Sequence, residues 1–554
     1  MKKILIKAGI VFLVCFTGSS CSKKIDDAYL NPNADVRVEP EKLLPQIISA
    51  MAGNYAGHGT SWDTRYVGAY IQNFSFYLTN SNFDRMGYTN NVADVAQSTW
   101  RMHYFDIGQN NQRMMQWAAE DEKWEYVGAG KAIEAWSWLI LTDYYDNVIL
   151  KEAFNTSKIT FSYDKQPEVY EHVKKLCREA LDNFNKVSGG TSASLAQGDA
   201  YFLNGDINKW KKFTNGILAR VHNRYSNKST YNADSVIHFA NLAIMDNADN
   251  AMVKFEATNL SATNNFFGPL RNNLNATGVT SPTAVRQGEY IVNLLKGSNS
   301  AFFDVQDPRA AYMLRLNTNG TFVGVPPVRG QAVLPVADRP ENFHGVSQNP
   351  SASNLTGGGV GINPRYVFRN NAPFPIMTAA EMHFLKAEAA FKKNDKGTAL
   401  TAYREGIRQN FNMLMSPEWN VNIPAGMEIT PAIRDAFLTD PDVVPASANN
   451  LKLSMIMLQK YISLFVYGAL ETWVDMRRYH YIDADPSGTG QVYADFMPPT
   501  GSDLFQDNNG ELIYRYYPRF NSEYVWNIKE LQRIGATALN YHANSVEKIW
   551  FALP

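Results

Sequence analysis

Residues 380–414, AEMHFLKAEAAFKKNDKGTALTAYREGIRQNFNML, constrain the fold more than any other stretch. Ala387, Ala390 and Phe391 share one helical face, Asn394 to Gly397 make a turn, and Ala399, Tyr403 and Ile407 then recur at i, i+4 and i+8. Small residues let two helices approach closely and large ones fill the groove between them. A chain built from such units is mostly α. Three further segments read as related pairs: Tyr126 to Asn147 with Gln166 to Val187, Ile207 to Tyr225 with Asn232 to Asp246, and one centred on Leu451 to Tyr481.

The pattern resembles a tetratricopeptide repeat, although an ordinary helical hairpin satisfies the single unit equally well. The segments between the pairs vary in length, so the expectation is a helical scaffold with insertions rather than a continuous solenoid. The insertions differ in composition. Residues 255–375 are rich in Asn, Gly, Pro and Thr, and residues 482–527 are similar. Aromatic residues run through the first of them: Phe266, Phe267, Tyr312, Phe322, Phe343, Tyr366 and Phe368. They would either wall a ligand surface or pack a second core beneath irregular chain.

The N-terminus reads as an export signal. Lys2, Lys3 and Lys7 precede an apolar run, Ala8 to Phe16, that is too short to span a bilayer, and Gly18, Ser19 and Ser20 lead into Cys21. This resembles a bacterial lipobox, in which the cysteine is acylated and becomes the mature N-terminus. Gly18 stands where that motif usually carries an aliphatic residue, and a plain signal-peptidase site with an incidental Cys21 is the alternative. The expected division is a lipoprotein signal peptide over 1–20 and one mature domain over 21–554, anchored by acyl chains rather than spanning the membrane. No later stretch reaches the roughly 18 consecutive apolar residues of a membrane span.

Of three cysteines, Cys15 leaves with the signal and an acylated Cys21 leaves only Cys177, so no intramolecular disulfide can form in the lipidated protein. Stability must come from core size, which 45% hydrophobic and 13% aromatic residues can supply. Lys+Arg number 52 against 53 Asp+Glu; loss of residues 1–20 removes three lysines and no acid, which moves the net charge from −1 to −4. With no basic excess to meet a phosphate backbone, nucleic acid is a poor partner.

Catalytic signatures are mostly missing. The histidines are His58, His103, His172, His222, His238, His344, His383, His480 and His542, and no two lie three or four apart to form a helical zinc pair. Gly128-Ala129-Gly130-Lys131 is not a phosphate loop, because Glu125 and Ala132 stand where Gly and Ser/Thr are required; it reads as small residues in a helix. Gly357 to Gly361 lacks the third glycine of a dinucleotide fingerprint, and no G-x-S-x-G elbow occurs. Two carboxylates facing each other across a cleft leave no local motif, so hydrolysis stays open. Asp143 and Asp146 in LTDYYDN could serve as acid or base, whereas Asp475 beside Arg477 and Arg478 reads as structural.

Several collinear stretches together resemble the SusD/RagB family of outer-membrane nutrient-binding lipoproteins from Bacteroidetes. They are Cys21 followed by Asp26-Asp27, NPNADVRVEPEKLLPQI at 31–47, LTDYYDNVILKEAF at 141–154, GDINKWKKFTNGILAR at 205–220, DPR at 307–309, AEMHFLKAEAAF at 380–391, ETWVDMRRY at 471–479 and PRFNSEYVWN at 518–527. The resemblance implies a SusD-like fold: four tetratricopeptide-like helix pairs packed against an irregular, loop-rich ligand-binding half. It also implies a lipid-anchored, cell-surface position in the outer membrane, and a TonB-dependent SusC-like transporter over which the protein sits as a lid, passing oligosaccharide or peptide to the pore. Such proteins bind and do not cleave.

In that family ligand contacts often precede a helix like Thr99 to Asn111. The matching interval, NFSFYLTNSNFDRMGYTNN at 73–91, interleaves aromatic rings with amides and charged groups, as a sugar's apolar face and polar rim require. Tyr77, Asn82, Phe83, Arg85 and Tyr88 are the preferred ligand-binding residues, with Trp62 and Trp419 extending the platform; Trp100 reads as packing. No cofactor is required; the Asp- and Asn-rich loops leave room for a structural calcium without an EF-hand pattern. Two competing readings remain: a surface glycoside hydrolase of helical-toroid type, and a helical adaptor that binds only its membrane partner.

Overall fold

The structure is a computed structural model that describes residues 37–53, 63–87, 97–260, 263–271, 284–345, 363–488, 490–518, 522–536 and 541–554. The signal peptide, Cys21, Trp62 and Tyr88 lie outside the described residues. Helices appear where the pattern predicts them: α1 (Trp124–Tyr145), α2 (Gln166–Asn185), α3 (Ile207–Asn223), α4 (Ala233–Leu242), α5 (Ala379–Lys392), α6 (Lys396–Met415), α7 (Leu453–Ser463) and α8 (Ala469–Arg478).

The first three pairs, α1 with α2, α3 with α4 and α5 with α6, pack side by side as expected. Caps set their starts: Asp206, Asn232, Thr378 and Asp395 accept hydrogen bonds from the backbone amides of Lys209, Ser235, Glu381 and Thr398. Each such cap contributes about 1 kcal/mol. The α5–α6 turn falls at Lys393 to Asp395, with Asn394 at φ 65°. The fourth unit departs from the expectation. Helices α7 and α8 both form, but the chain bends between them at Leu464 to Gly468 and they diverge: α7 packs on α5 and α6, and α8 packs on the helix Asp63–Tyr70.

Helix α1 is the axis of the scaffold. From Tyr126 to Tyr145 only Lys131 is not buried, because neighbours cover it on every side. The interhelical approach depends on glycine. A Cβ on Gly128 would lie 2.7 Å from the Phe184 ring of α2, one on Gly130 2.4 Å from Met115, and one on Gly406 2.9 Å from the Phe384 ring. The run at 128–131 is therefore a packing device. Among the described residues no helix is long and apolar enough to cross a membrane.

Two short antiparallel ribbons join the loops to this scaffold: β1 (Phe74–Phe76) pairs with β3 (Val285–Gln287), and β2 (Ala251–Val253) with β4 (Phe374–Met377). Strand β4 runs through Thr378 directly into α5. Among its described residues the insertion 255–375 is largely irregular, and its aromatics form a second core. Phe343 stacks on Phe368 at 4.3 Å, meets Phe74 edge-on at 5.4 Å, and Tyr366 packs against Phe465 and Trp419. Phe266, Phe267 and Tyr312 are buried, and Phe322 is half-buried against this core.

Overpacking the α1–α2 contact tests this arrangement. Gly128→Val places branched carbons where the Phe184 ring lies, and is expected to cost roughly 1–3 kcal/mol in urea unfolding. An unchanged midpoint would mean that the ring moves aside freely.

Candidate ligand-binding surface

Strand β1 positions the sequence-predicted loop. Phe74, Ser75 and Phe76 pair with Gln287, Arg286 and Val285, and the Tyr77 amide extends the ladder by donating to the Ala284 carbonyl at 2.9 Å. The chain then turns under a second segment. The Gln331 amide donates to Tyr77 O, and the Asn80 amide and Thr79 hydroxyl both donate to Val328 O. Asn80 reaches this geometry at φ 57°, a conformation that asparagine tolerates better than most residues. Gly330 lies so close that a Cβ there would sit 2.6 Å from the Thr79 nitrogen.

The carboxylate of Asp84 holds the two segments together. It accepts from the backbone amide of Phe76 at 3.1 Å and from that of Val328 at 3.2 Å. Burial raises its pKa from 3.8 to about 7, and the two amides offset only part of that rise. A third segment docks through Arg85, whose guanidinium donates to Ser502 O and Leu504 O while its carbonyl accepts from the Phe505 amide. Asn508 donates to Met86 O, Gln72 donates to Met497 O, and Arg329 pairs with Asp503. The surface is thus made of 77–87, 326–339 and 497–508, with Leu78, Val333, Val336 and Met497 exposed upon it.

The predicted site residues fall into distinct places. Tyr77 is half-buried, with the Arg286 guanidinium 5.3 Å from its ring centroid; Asn82 and Arg85 are half-buried at the same surface. Phe83 is buried, stacked on Tyr66 at 4.2 Å and against Phe76 at 4.8 Å, so its ring supports the loop from below. Trp419 is 1% exposed within the second aromatic core, remote in chain and in packing from this loop. Trp62 and Tyr88 are outside the described residues. Trp100 is buried against Tyr145 and Tyr163 and forms one wall of an apolar cleft of about 310 Å³ that Tyr104, Phe154 and Phe161 complete.

Asp84, which lies in the interval 73–91 singled out from the sequence, is a positioning residue, as are Arg286 and Gln331, which no motif marked. Arg286 donates to Gln331 Oε1 and to Val285 O, and burial pushes its pKa down to about 10. No local pattern marks it, because β3 reads Val-Arg-Gln and is too short to show alternation.

The carboxylates considered for acid or base work are held in ion pairs. Asp475 binds Lys460 at 2.7 Å and Arg478 at 2.6 Å, and Asp143 binds Arg224 and the Tyr170 hydroxyl; all are buried. Asp146 pairs with Arg515 and accepts from the Trp550 amide. Among the described residues no group of three or more His, Cys, Asp or Glu could hold a metal ion.

Residues 32–499 match a SusD-like family described as starch-binding associating with the outer membrane, so the chain belongs to the SusD-like family. No curated protein matches the sequence. Among solved structures, the fold is similar to that of a SusD/RagB family protein from Bacteroides thetaiotaomicron, with 19% identity, TM-score 0.69, and coverage of 93% of this chain and 99% of that one. A chitin-binding protein aligns at 21% identity and TM-score 0.66 over 93% of this chain and 100% of its own. A chitin-binding SusD homolog from Flavobacterium johnsoniae aligns at 17% identity and TM-score 0.60 over 92% and 98%. At such identities the likeness is one of fold.

The Asp84 tie has a pH signature. With a folded pKa near 7 against 3.8, the native state holds a proton between about pH 4 and 7 that the unfolded chain has released. Stability therefore falls as pH rises through that window. Asp84→Asn cannot ionise, and is expected to reduce the difference in unfolding free energy between pH 4 and pH 8 by on the order of 1–4 kcal/mol in urea titrations. An unchanged difference would mean that Asp84 keeps its ordinary pKa.

Proposed function

We propose that the protein is a cell-surface lipoprotein of the outer membrane that binds an oligosaccharide, or another nutrient such as peptide, and delivers it to a SusC-like TonB-dependent transporter. Residues 1–20 are the signal peptide, Cys21 carries the lipid, and residues 21–554 form the mature domain. The observation that carries this reading is the family match over 32–499, most of the mature chain. The chitin-binding neighbours favour a glycan as ligand. The ligand surface is the one built around Tyr77, Asn82 and Arg85, with Phe83 and Asp84 beneath it; Tyr88 and Trp62, which lie outside the described residues, are proposed as ligand residues on the sequence alone. Its chemistry suits a sugar, because a half-exposed ring sits among amides and a guanidinium. The protein carries out no catalytic step of its own.

Purification of the tagged protein from its native outer membrane in mild detergent is expected to bring down a TonB-dependent barrel in stoichiometric amount, and Cys21→Ala is expected to release the protein from the membrane fraction. A barrel that never accompanies the protein, even after cross-linking, would remove the delivery role. Release of reducing sugar by the purified protein would favour the hydrolase reading instead.

Tyr77→Ala and Asn82→Ala test the surface itself. Each is expected to weaken retention on insoluble chitin or starch by several-fold to about tenfold, with the melting temperature unchanged. Full retention by both variants would move the ligand elsewhere.

A further inference from the structure

A second polar site lies in the loop half, on the other side of β3 from the Tyr77 surface. Gln287 of β3 accepts from the Arg315 amide at 2.7 Å and donates to Arg315 O at 3.0 Å, which fixes Arg315 at the wall of a cavity of about 350 Å³. Arg315, Glu341, Asn363, Arg365 and Asn422 supply its polar lining. The arrangement is held from several directions. Arg315 binds Glu341 Oε2 at 2.6 Å and Asn363 Oδ1 at 2.5 Å, and Asn422 donates to Pro364 O at 2.7 Å. Gly345, at φ 82°, leaves room for this cluster: a Cβ there would meet Asn363 Oδ1 at 1.8 Å and Arg315 Nη2 at 2.3 Å.

Arg365 is the anomaly. It is 3% exposed, and the one hydrogen bond of its guanidinium among the described residues runs from Nη2 to the Leu314 carbonyl. Its Nε is buried without a partner. The single carboxylate in the cavity, Glu341, is bound to Arg315, and residues 346–362 contain no acidic side chain. Two guanidinium groups thus share one carboxylate. Burial first, and then the Arg315 charge, push the Arg365 pKa down to about 9. A buried cation without a counterion is costly, and an anionic ligand group would offset that cost.

We propose that this cavity is a subsite for the carboxylate of an acidic sugar ring carried by the ligand, with Arg365 as the anion-binding group and Asn363 and Asn422 as partners for ring hydroxyls. The inference rests on the nutrient-binding reading above and narrows its ligand class to uronate-bearing oligosaccharides. A planar carboxylate matches the guanidinium fork, and the amides on either side suit hydroxyl groups.

Isothermal titration of the full-length mature protein with an oligogalacturonide and with its methyl ester tests this, because esterification removes the carboxylate charge at the cost of one added methyl group per ring. The acid is expected to bind roughly 10- to 100-fold more tightly than the ester. Arg365→Gln should remove most of the preference for the acid over the ester. Glu341→Gln removes the competing carboxylate and should strengthen acid binding, an outcome that a purely structural role would not produce and that does not depend on Arg365→Gln folding. Equal binding of acid and ester, or an acid preference that mostly survives Arg365→Gln, overturns the subsite. An acidic peptide that binds through Arg365 while the oligogalacturonide does not overturns the sugar assignment.

Failure is separable from failure of the parent reading. Binding of chitin or starch oligomers without preference for the acid removes this subsite alone. If no oligosaccharide binds, the nutrient reading falls, and galacturonate against galactose in thermal melts decides the cavity. A melting-temperature rise with galacturonate only, lost in Arg365→Gln, upholds it, and no such rise overturns it.

Discussion

A buried network of ion pairs ties the helices together, and the other contacts of the scaffold are arranged around it. Arg220 of α3 grips Glu381 of α5 with bonds of 2.6 and 2.7 Å. Arg224, one turn on, joins Asp143 of α1 to Glu471 of α8. Arg478 of α8 binds Glu388 of α5 and its own neighbour Asp475, which also faces Lys460 of α7. Tyr170 of α2, Asn223 of α3 and Tyr479 complete the acceptor sites. Burial alone would raise the Glu388 and Glu471 pKa values, but the surrounding cations outweigh it and hold both below the ordinary range. Such groups stay charged inside the protein, and removing one partner strands the other, typically at 3–5 kcal/mol. The divergence of α7 from α8 follows from this geometry. Asp475 and Arg478 face α7 and α5 while Glu471 reaches α3, so α8 is oriented by its charges rather than by a hairpin contact with α7.

The loop half uses a different physics. Its interior is aromatic, with Phe343, Phe368, Tyr366 and Trp419 packed beneath irregular chain, and although Arg309 and Arg315 pair with Asp307 and Glu341, the buried guanidiniums of Arg286, Arg365 and Arg369 meet neutral oxygens. Arg369 donates to Asn371 Oδ1 and Glu418 O, and Arg365 to Leu314 O. A charge held by carbonyls is less fully neutralised than one held by carboxylates, so unsatisfied electrostatic demand accumulates in this half. It is on the loops, where recognition is usually found, that this demand faces open space.

What was legible in the sequence follows the range of the interaction involved. Ala399, Tyr403 and Ile407 repeat at helical spacing, and all three are buried where α6 meets α5. Gly128 and Gly130 sit among apolar neighbours and mark a close approach. These are local signals, and they located α1 to α8 but not the helix Gln109–Glu120 that packs on α1, or the helix Pro40–Gly53 that packs on Gln109–Glu120. The loop aromatics carried no period, so burial and ligand exposure could not be separated until long-range contacts put Phe343 against Phe74. Phe83 and Tyr77 look alike in sequence, yet the tie from Asp84 to Phe76 and Val328 turns one ring under the loop and leaves the other half-open. Trp419 was legible as a large ring and not as a buried one, because its partner Tyr366 lies more than fifty residues away in the chain. The Arg315–Glu341–Asn363 cluster left no motif at all, since its spacing reflects loop closure rather than helix or strand geometry.

The division of labour between the halves explains how one fold persists at 17–21% identity to solved relatives with TM-scores of 0.60–0.69. Helix packing and the ion network depend on a few small residues and charges at fixed places, and loop length adds only slowly to the entropy of closing a chain. Loops can therefore change while the scaffold stays. In this protein β1 and β3 carry that freedom into the binding half: Tyr77 continues one strand, and Gln287 of the other fixes Arg315. The two polar surfaces share one rigid support, so their separation is set by the scaffold while their chemistry is set by the loops. A ligand that engaged both would have to reach from the residues around Arg286 to those around Gln287 and present different groups to each.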